Sequence, residues 1–344
     1  MKGQRGYTLV ELLVAAAVMV TATSGIFVLL ANGLGNSALW NESADLHQRA
    51  RVAADVLSSE LAAAGAGTPE GPLIRFLPPV EPRRRGRAAA MNAVTIRSVP
   101  DNAPWSTLTA DLPVDGSSAR IAIHAGCRVG IAACGFGVGT EVVLFDGAGN
   151  WDLAFVQGAG GDTLALADVV GSRSVAYLAG ARIAQIVETT LFLDEVERQL
   201  RREQPGSGAL PVIDHVVGLQ LSYFGDPLPV SEPAPPPGVA NCLFTSSGGR
   251  IAHPVLAADH GRLAAMPVSM LTDGPFCGSG AGAYDVDLFR IRSIRASVRL
   301  QTGVEMLRGR EPRLFIHPGG ATIAERMIPD TVMSVELSPR NLLR

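Results

Sequence analysis

The sequence predicts an α+β fold: one long amino-terminal helix followed by an antiparallel β-rich domain. Three observations carry this expectation. Residues Leu12–Asn41 contain no charged side chain. From Trp40 the apolar residues Trp40, Ala44, Leu46, Ala50, Ala53, Leu57, Leu61 and Ala64 recur in steps that follow one helical stripe. From Ala93 onward the pattern changes to short β-branched and aromatic runs bounded by Gly, Asp or Pro.

The helix is expected over residues 7–64. Its first half is apolar all round, long enough to span a bilayer, which takes about 20 apolar residues. Its second half is amphipathic, with Glu42, Asp45, Arg49, Arg51, Asp55 and Glu60 mostly off the apolar stripe. Gly65 and Gly67 end it and Pro69 prevents its continuation. Gly25, Gly33 and Gly35 each cost about 1 kcal/mol against Ala and mark places for bending or close packing.

Glu11 is the one charge inside the apolar segment. An ionised carboxylate in hydrocarbon costs several kcal/mol unless it is paired, which makes Glu11 a candidate functional residue. No side chain of this segment offers a cation at that depth, but an α-amine freed by cleavage just before Tyr7 would. A secretory signal also has a cationic start, here Lys2 and Arg5, and an apolar core. It is cut after that core, however, and a glutamate at the core's beginning is unfavourable for the class.

The leader Met1–Gly6, followed by Tyr7-Thr8-Leu9-Val10-Glu11 and an apolar helix, resembles the type IV prepilin signal, the class III signal peptide. The resemblance implies that a membrane-embedded prepilin peptidase cuts after Gly6 and N-methylates Tyr7. Phe is the usual first mature residue of that family; Tyr7 keeps the ring and adds a hydroxyl. Glu11 would neutralise the terminal amine of a neighbouring subunit during assembly. Loss of residues 1–6 removes Lys2 and Arg5, taking the side-chain charge from −3 to −3 − 2 = −5.

Residues 65–92 read as a linker. Its run Arg83-Arg84-Arg85-Gly86-Arg87, set among Pro78, Pro79 and Pro82, reads as a solvated loop. No basic excess points to nucleic acid. The globular domain is expected over 93–344. Its β-rich segments are Ala93–Val99, Ala119–His124, Glu141–Asp146, Leu153–Gln157, Thr163–Ala167, Arg182–Leu193, Val196–Arg201, Val212–Phe224 and Thr331–Leu337. Asp146-Gly147 and Gly161-Asp162 are turn signals, and Asp194-Glu195 centres a hairpin. A Pro-rich loop occupies 226–238, and 239–283 looks irregular. Leu288–Gln301 alternates aliphatic and basic residues, with a slip at Ser293 that suggests a bulge or a strand pair.

Four cysteines in an exported chain read as two disulfides. Three pairings are possible. Cys127–Cys134 and Cys242–Cys277 are favoured, because each pair shares one Gly-rich loop. No metal site or cofactor is expected: there is no C-x-x-C, and no histidine reads as a ligand for either pair. Asp285 and Asp287, near Asp273, read as part of a solvated loop rather than a calcium site. The chain holds no GxSxG, HExxH or GxxxxGK[ST], its glycine runs do not open a helix after a strand, and its histidines are scattered, so no enzyme is expected.

Arg49–Gly65, the block Cys127–Asp146, and Ile291–Gln301 with the tail Pro339-Arg340-Asn341-Leu342 are similar to segments of PilW-type minor pilins. This resemblance implies a pilin-like fold and a minor pilin that helps initiate a type IV pilus in a Gram-negative bacterium. It would be anchored once in the inner membrane with a periplasmic carboxyl-terminal domain. Its partners would be prepilin peptidase, other minor and major pilins or pseudopilins, and inner-membrane lipid. The J-type minor pseudopilin of type II secretion shares the architecture. A membrane-tethered periplasmic enzyme or binding protein is the rival from another class.

Overall fold

A computed structural model describes residues 8–67, 77–84, 89–125, 127, 132–146, 150–168, 173, 175–225, 263–274, 276–277 and 284–342. One helix, α1 (Leu9–Ala62), leads the chain and runs without interruption through Gly25, Gly33 and Gly35. At 1.5 Å per residue its 54 residues span about 81 Å. The strands follow in this order: β1 (Val80–Glu81), β2 (Ala93–Ser98), β3 (Trp105–Thr107), β4 (Ser118–Arg120), β5 (Glu141–Phe145), β6 (Trp151–Gly160), β7 (Thr163–Asp168), β8 (Arg182–Gln185), β9 (Val187–Asp194), β10 (Gln199–Gln204), β11 (Gly208–Asp214), β12 (Val216–Gly225), β13 (Ala264–Met266), β14 (Phe276–Cys277), β15 (Tyr284–Asp285), β16 (Ile291–Leu300) and β17 (Thr331–Leu337). The α+β class is as expected from the sequence.

The chain divides into two compact units. The first joins residues 1–50 to 300–331. Glu42 accepts hydrogen bonds from the Thr302 hydroxyl (2.9 Å) and the Gly303 amide (2.7 Å). Arg49 pairs with Asp45 and Glu42 and donates to the Gln301 carbonyl. The Gln301 side chain donates in turn to Asp330 and to the His317 carbonyl. Segment 301–330 has little regular structure among the described residues, so these polar contacts and the buried Leu46 and Phe315 hold it.

The second unit, 51–299 and 332–344, contains the sheets. Ala53, Leu57 and Leu61 are fully buried, as the apolar stripe predicts, and Glu60 on the other flank pairs with Arg202. Two sheets are antiparallel layers, ordered β1-β2-β9-β10-β11 and β13-β12-β16-β17, and β14 and β15 form a separate two-stranded pair. The third, ordered β3-β8-β5-β6-β7-β4, closes on itself. Leu108, just after β3, bridges Ile121, just after β4, and the Ala122 amide donates to the Thr107 carbonyl (2.8 Å). The result is a six-stranded barrel inserted between the paired neighbours β2 and β9.

Alternation decides which residues fill the barrel. Val142, Leu144, Ala154, Val156, Leu164, Leu166 and Ile183 point inward and share one core. Val143, Phe145 and Ala184 point outward and pack with Leu77 and Ile186. Strand β5 is therefore buried on both faces, which explains its unbroken apolar run Val142–Phe145.

Several expectations need correction. Arg182–Leu193 and Val212–Phe224 are not single strands. The first breaks at Ile186, so that β8 joins the barrel while β9 joins the five-stranded sheet. The second breaks at His215, which adopts φ 59° between β11 and β12. Leu288–Arg290 belongs to a 3-10 turn, and only β16 from Ile291 is extended. The slip at Ser293 is real: Ser293 and Ile294 are both buried within that one strand. The stretch 65–92 carries β1 and buried groups. Arg97 bonds both Glu81 (2.8 Å) and Glu188 (2.9 Å) inside the unit. Burial works against its charge, but the two carboxylates outweigh that and hold its pKa above the ordinary arginine value. Arg83 and Arg84 are ion-paired with Glu81 and Glu203 rather than freely solvated, and Arg84 lies over the Phe192 ring. Arg85 and Arg87, the loop 226–238 and Cys242 lie outside the described residues, as does the side chain of Cys277.

Candidate functional sites

The amino-terminal end of α1 is built by its first residues. Thr8 precedes the helix and Glu11 sits in its first turn. Glu11 Oε2 accepts from the Thr8 amide (2.9 Å) and hydroxyl (3.0 Å), while the Thr8 hydroxyl accepts from the Glu11 amide (3.3 Å). This is a capping box, reciprocal satisfaction of two amides that the helix cannot pair itself. Its signature, Thr-x-x-Glu before an apolar run, is in the sequence, and it gives Glu11 a neutral local partner where a cationic one was expected. Gly6 and Tyr7 lie outside the described residues.

Beyond the cap, Leu9–Phe27 is long and apolar enough to cross a membrane, and none of it is buried within the chain. The few polar side chains here turn inward on the helix. Thr21, Thr23 and Ser24 donate to the carbonyls of Ala17, Met19 and Val20, leaving no hydroxyl in need of water. The far end of α1 is held differently. Gly65 adopts φ 71°, its amide donates to the Arg97 carbonyl (3.0 Å), and a Cβ there would press on Pro79, Asn341 and Leu342, each at 3.3 Å. Two segments noted separately in the sequence, the helix end at Gly65 and the tail Pro339–Leu342, thus meet at one point.

A second candidate site lies at the barrel. Cys127 and Cys134 are disulfide-bonded. Ala133 and Cys134 both adopt left-handed backbone (φ 51° and 57°) and both are buried. His124, which the sequence reading set aside, stands beside the bond: its Nε2 lies 3.7 Å from Cys134 Sγ and 2.9 Å from the Trp105 carbonyl. The Trp105 and His124 rings are 4.3 Å apart. The spacing H-x-x-C was the available signal.

Asp285 and Asp287 are buried rather than solvated. Asp285 accepts from the amides of Gly274 (2.6 Å) and Asp287 (2.8 Å), and Asp287 pairs with Arg290 (3.0 Å). Burial raises the pKa of both carboxyls. Their contacts fix a 3-10 turn at the start of β16, a structural duty.

Residues 1–27 match the prokaryotic N-terminal methylation motif. No curated protein matches the chain. The class follows: the chain carries a type IV prepilin-type signal on a helix able to anchor it once in a membrane. The match covers the first 27 residues and supports a pilin-like or pseudopilin precursor; such a signal implies processing by prepilin peptidase and association with other pilins.

Proposed function

We propose that the chain is a minor pilin of the PilW type, cleaved after Gly6, N-methylated at Tyr7 and incorporated near the start of a type IV pilus. The observation that carries the reading is the pairing of the methylation motif with a capped helix whose apolar surface finds no partner among the described residues. In a membrane, lipid covers that surface; in a filament, neighbouring helices do. The work is assembly rather than catalysis, and the carboxyl-terminal domain sits in the periplasm before assembly. Glu11 would exchange its Thr8 contacts for the methylated amine of the next subunit. In a low-dielectric core such a pair fixes axial register more than it adds stability.

The test is Glu11→Gln in cells. Mass spectrometry should still find a mature chain beginning with N-methylated Tyr7, while the variant's incorporation into filaments falls. A mature terminus elsewhere than Tyr7 defeats the processing assignment. Wild-type incorporation of processed Glu11→Gln chains defeats the role of the charge. If the wild-type chain supports protein secretion instead of piliation, the J-type pseudopilin reading replaces the PilW one.

A further inference from the structure

We propose that His124, Cys127 and Cys134 form a site for a thiophilic divalent cation, zinc above all, when the disulfide between the two cysteines is open. The three ligand atoms already lie within 4.8 Å of one another. A tetrahedral zinc with Zn–S of about 2.3 Å and Zn–N of about 2.0 Å holds its sulfur and nitrogen ligands about 3.5 Å apart. His124 Nε2 lies 3.7 Å from Cys134 Sγ, so that edge of the tetrahedron is preset. The remaining requirement is that the two sulfurs separate to about 3.8 Å, which side-chain rotation provides once the bond is broken.

The surroundings suit a cation held by thiolates. The His124 amide donates to Cys127 Sγ (3.2 Å), a contact that favours the deprotonated sulfur. The Trp105 ring and carbonyl hold the imidazole in place. Ion binding would replace the contact of Nε2 with that carbonyl by a ligand bond, with the ring proton on Nδ1. His124 and Cys127 are partly exposed and Cys134 is buried, leaving one side open to water as a fourth ligand.

The loop has reason to need a second clamp. Ala133 and Cys134 hold consecutive left-handed conformations that residues with a Cβ adopt reluctantly, and they do so inside the barrel core. The disulfide restrains that backbone in the oxidised chain. In the reduced chain the cation would do so. The conversion balances: a dithiol donor gives two electrons and two protons to the Cys127–Cys134 bond, itself becoming a disulfide, and the cation then displaces both thiol protons.

The test uses the full chain in detergent, reduced with a dithiol, desalted without oxygen and titrated with cobalt(II). The reduced protein should take up one cobalt with a thiolate-to-metal absorption band that zinc abolishes; the oxidised protein should show none. The double variant Cys127→Ser, Cys134→Ser should lose the band although Cys242 and Cys277 remain. His124→Asn keeps the disulfide for folding, and should weaken cobalt binding about tenfold or more without altering the circular dichroism spectrum. A reduced wild type without the band overturns the proposal. So does a band that survives in the double variant, or binding by His124→Asn equal to wild type.

Discussion

Along Leu9–Phe27 the large apolar side chains are between 58% and 80% exposed, whereas Val142, Leu144, Val156 and Leu164 in the barrel are at most 1% exposed. The residue types are the same: leucines, valines and alanines in near-continuous runs. The barrel meets its burial requirement internally, because closure turns one face of every strand onto a shared core. The helix cannot, because an apolar cylinder has no inside. None of the described residues buries it, and in the proposed function lipid or other chains cover it. The same composition therefore encodes self-sufficiency in one region and dependence on neighbours in the other, and backbone pairing decides which.

The largest effect that would sharpen this contrast is a cavity on each side of it. Leu144→Ala in the barrel should cost about 2–5 kcal/mol, since close-packed surroundings relax only partly around a lost side chain. Leu13→Ala, in a side chain that touches no interior, should leave urea unfolding of the second unit unchanged. Tryptophan fluorescence during urea unfolding of the two variants decides this. Equal midpoints would mean that the barrel core is not a source of stability.

A smaller effect tests how the barrel handles polarity. The Tyr177 hydroxyl is buried and donates to Asp152 (2.8 Å). Burial, and then the nearby Asp152 charge, push its pKa above the ordinary tyrosine value, so it remains a donor across the physiological range. Tyr177→Phe keeps the ring and removes that donor, and should cost about 1–2 kcal/mol in the same urea measurement. No loss of stability would show that the bond contributes nothing net.

What could be read from the sequence follows the same division. Helix α1, its end at Gly65, the hairpin of β9 and β10 with Asp194 in its turn, and β17 are all encoded locally, by periodicity or turn residues. So was the favoured pairing of Cys127 with Cys134, which share one short loop. The barrel was not legible. Strands β3 and β4 have three residues each, too few to show alternation, and closure depends on Leu108 finding Ile121 across the chain. The breaks at Ile186 and His215 fall inside runs whose pattern continues on both sides, so nothing local marks the change of sheet. Asp285 and Asp287 looked like solvent-facing carboxylates because their burial depends on packing from elsewhere in the chain; of their partners the Gly274 amide is eleven residues away, while the Asp287 amide and Arg290 are local.

The smallest expected effect returns to the helix and asks whether its beginning is fixed locally. Thr8 and Glu11 satisfy each other within the first turn. Removing the cap with Thr8→Ala should therefore weaken only the first turn, by about 1 kcal/mol, the usual worth of a threonine cap. That is roughly a fivefold rise in opening of the first turn, since about 1.4 kcal/mol corresponds to tenfold. Amide exchange in detergent reads it directly: the Glu11 and Leu12 amides should exchange faster in the variant, while those from Ala53 to Leu61 keep their wild-type protection. Acceleration along the whole helix would mean that the cap nucleates α1. No change at Glu11 would mean that the apolar environment alone orders the first turn, and that Glu11 is held by something other than Thr8.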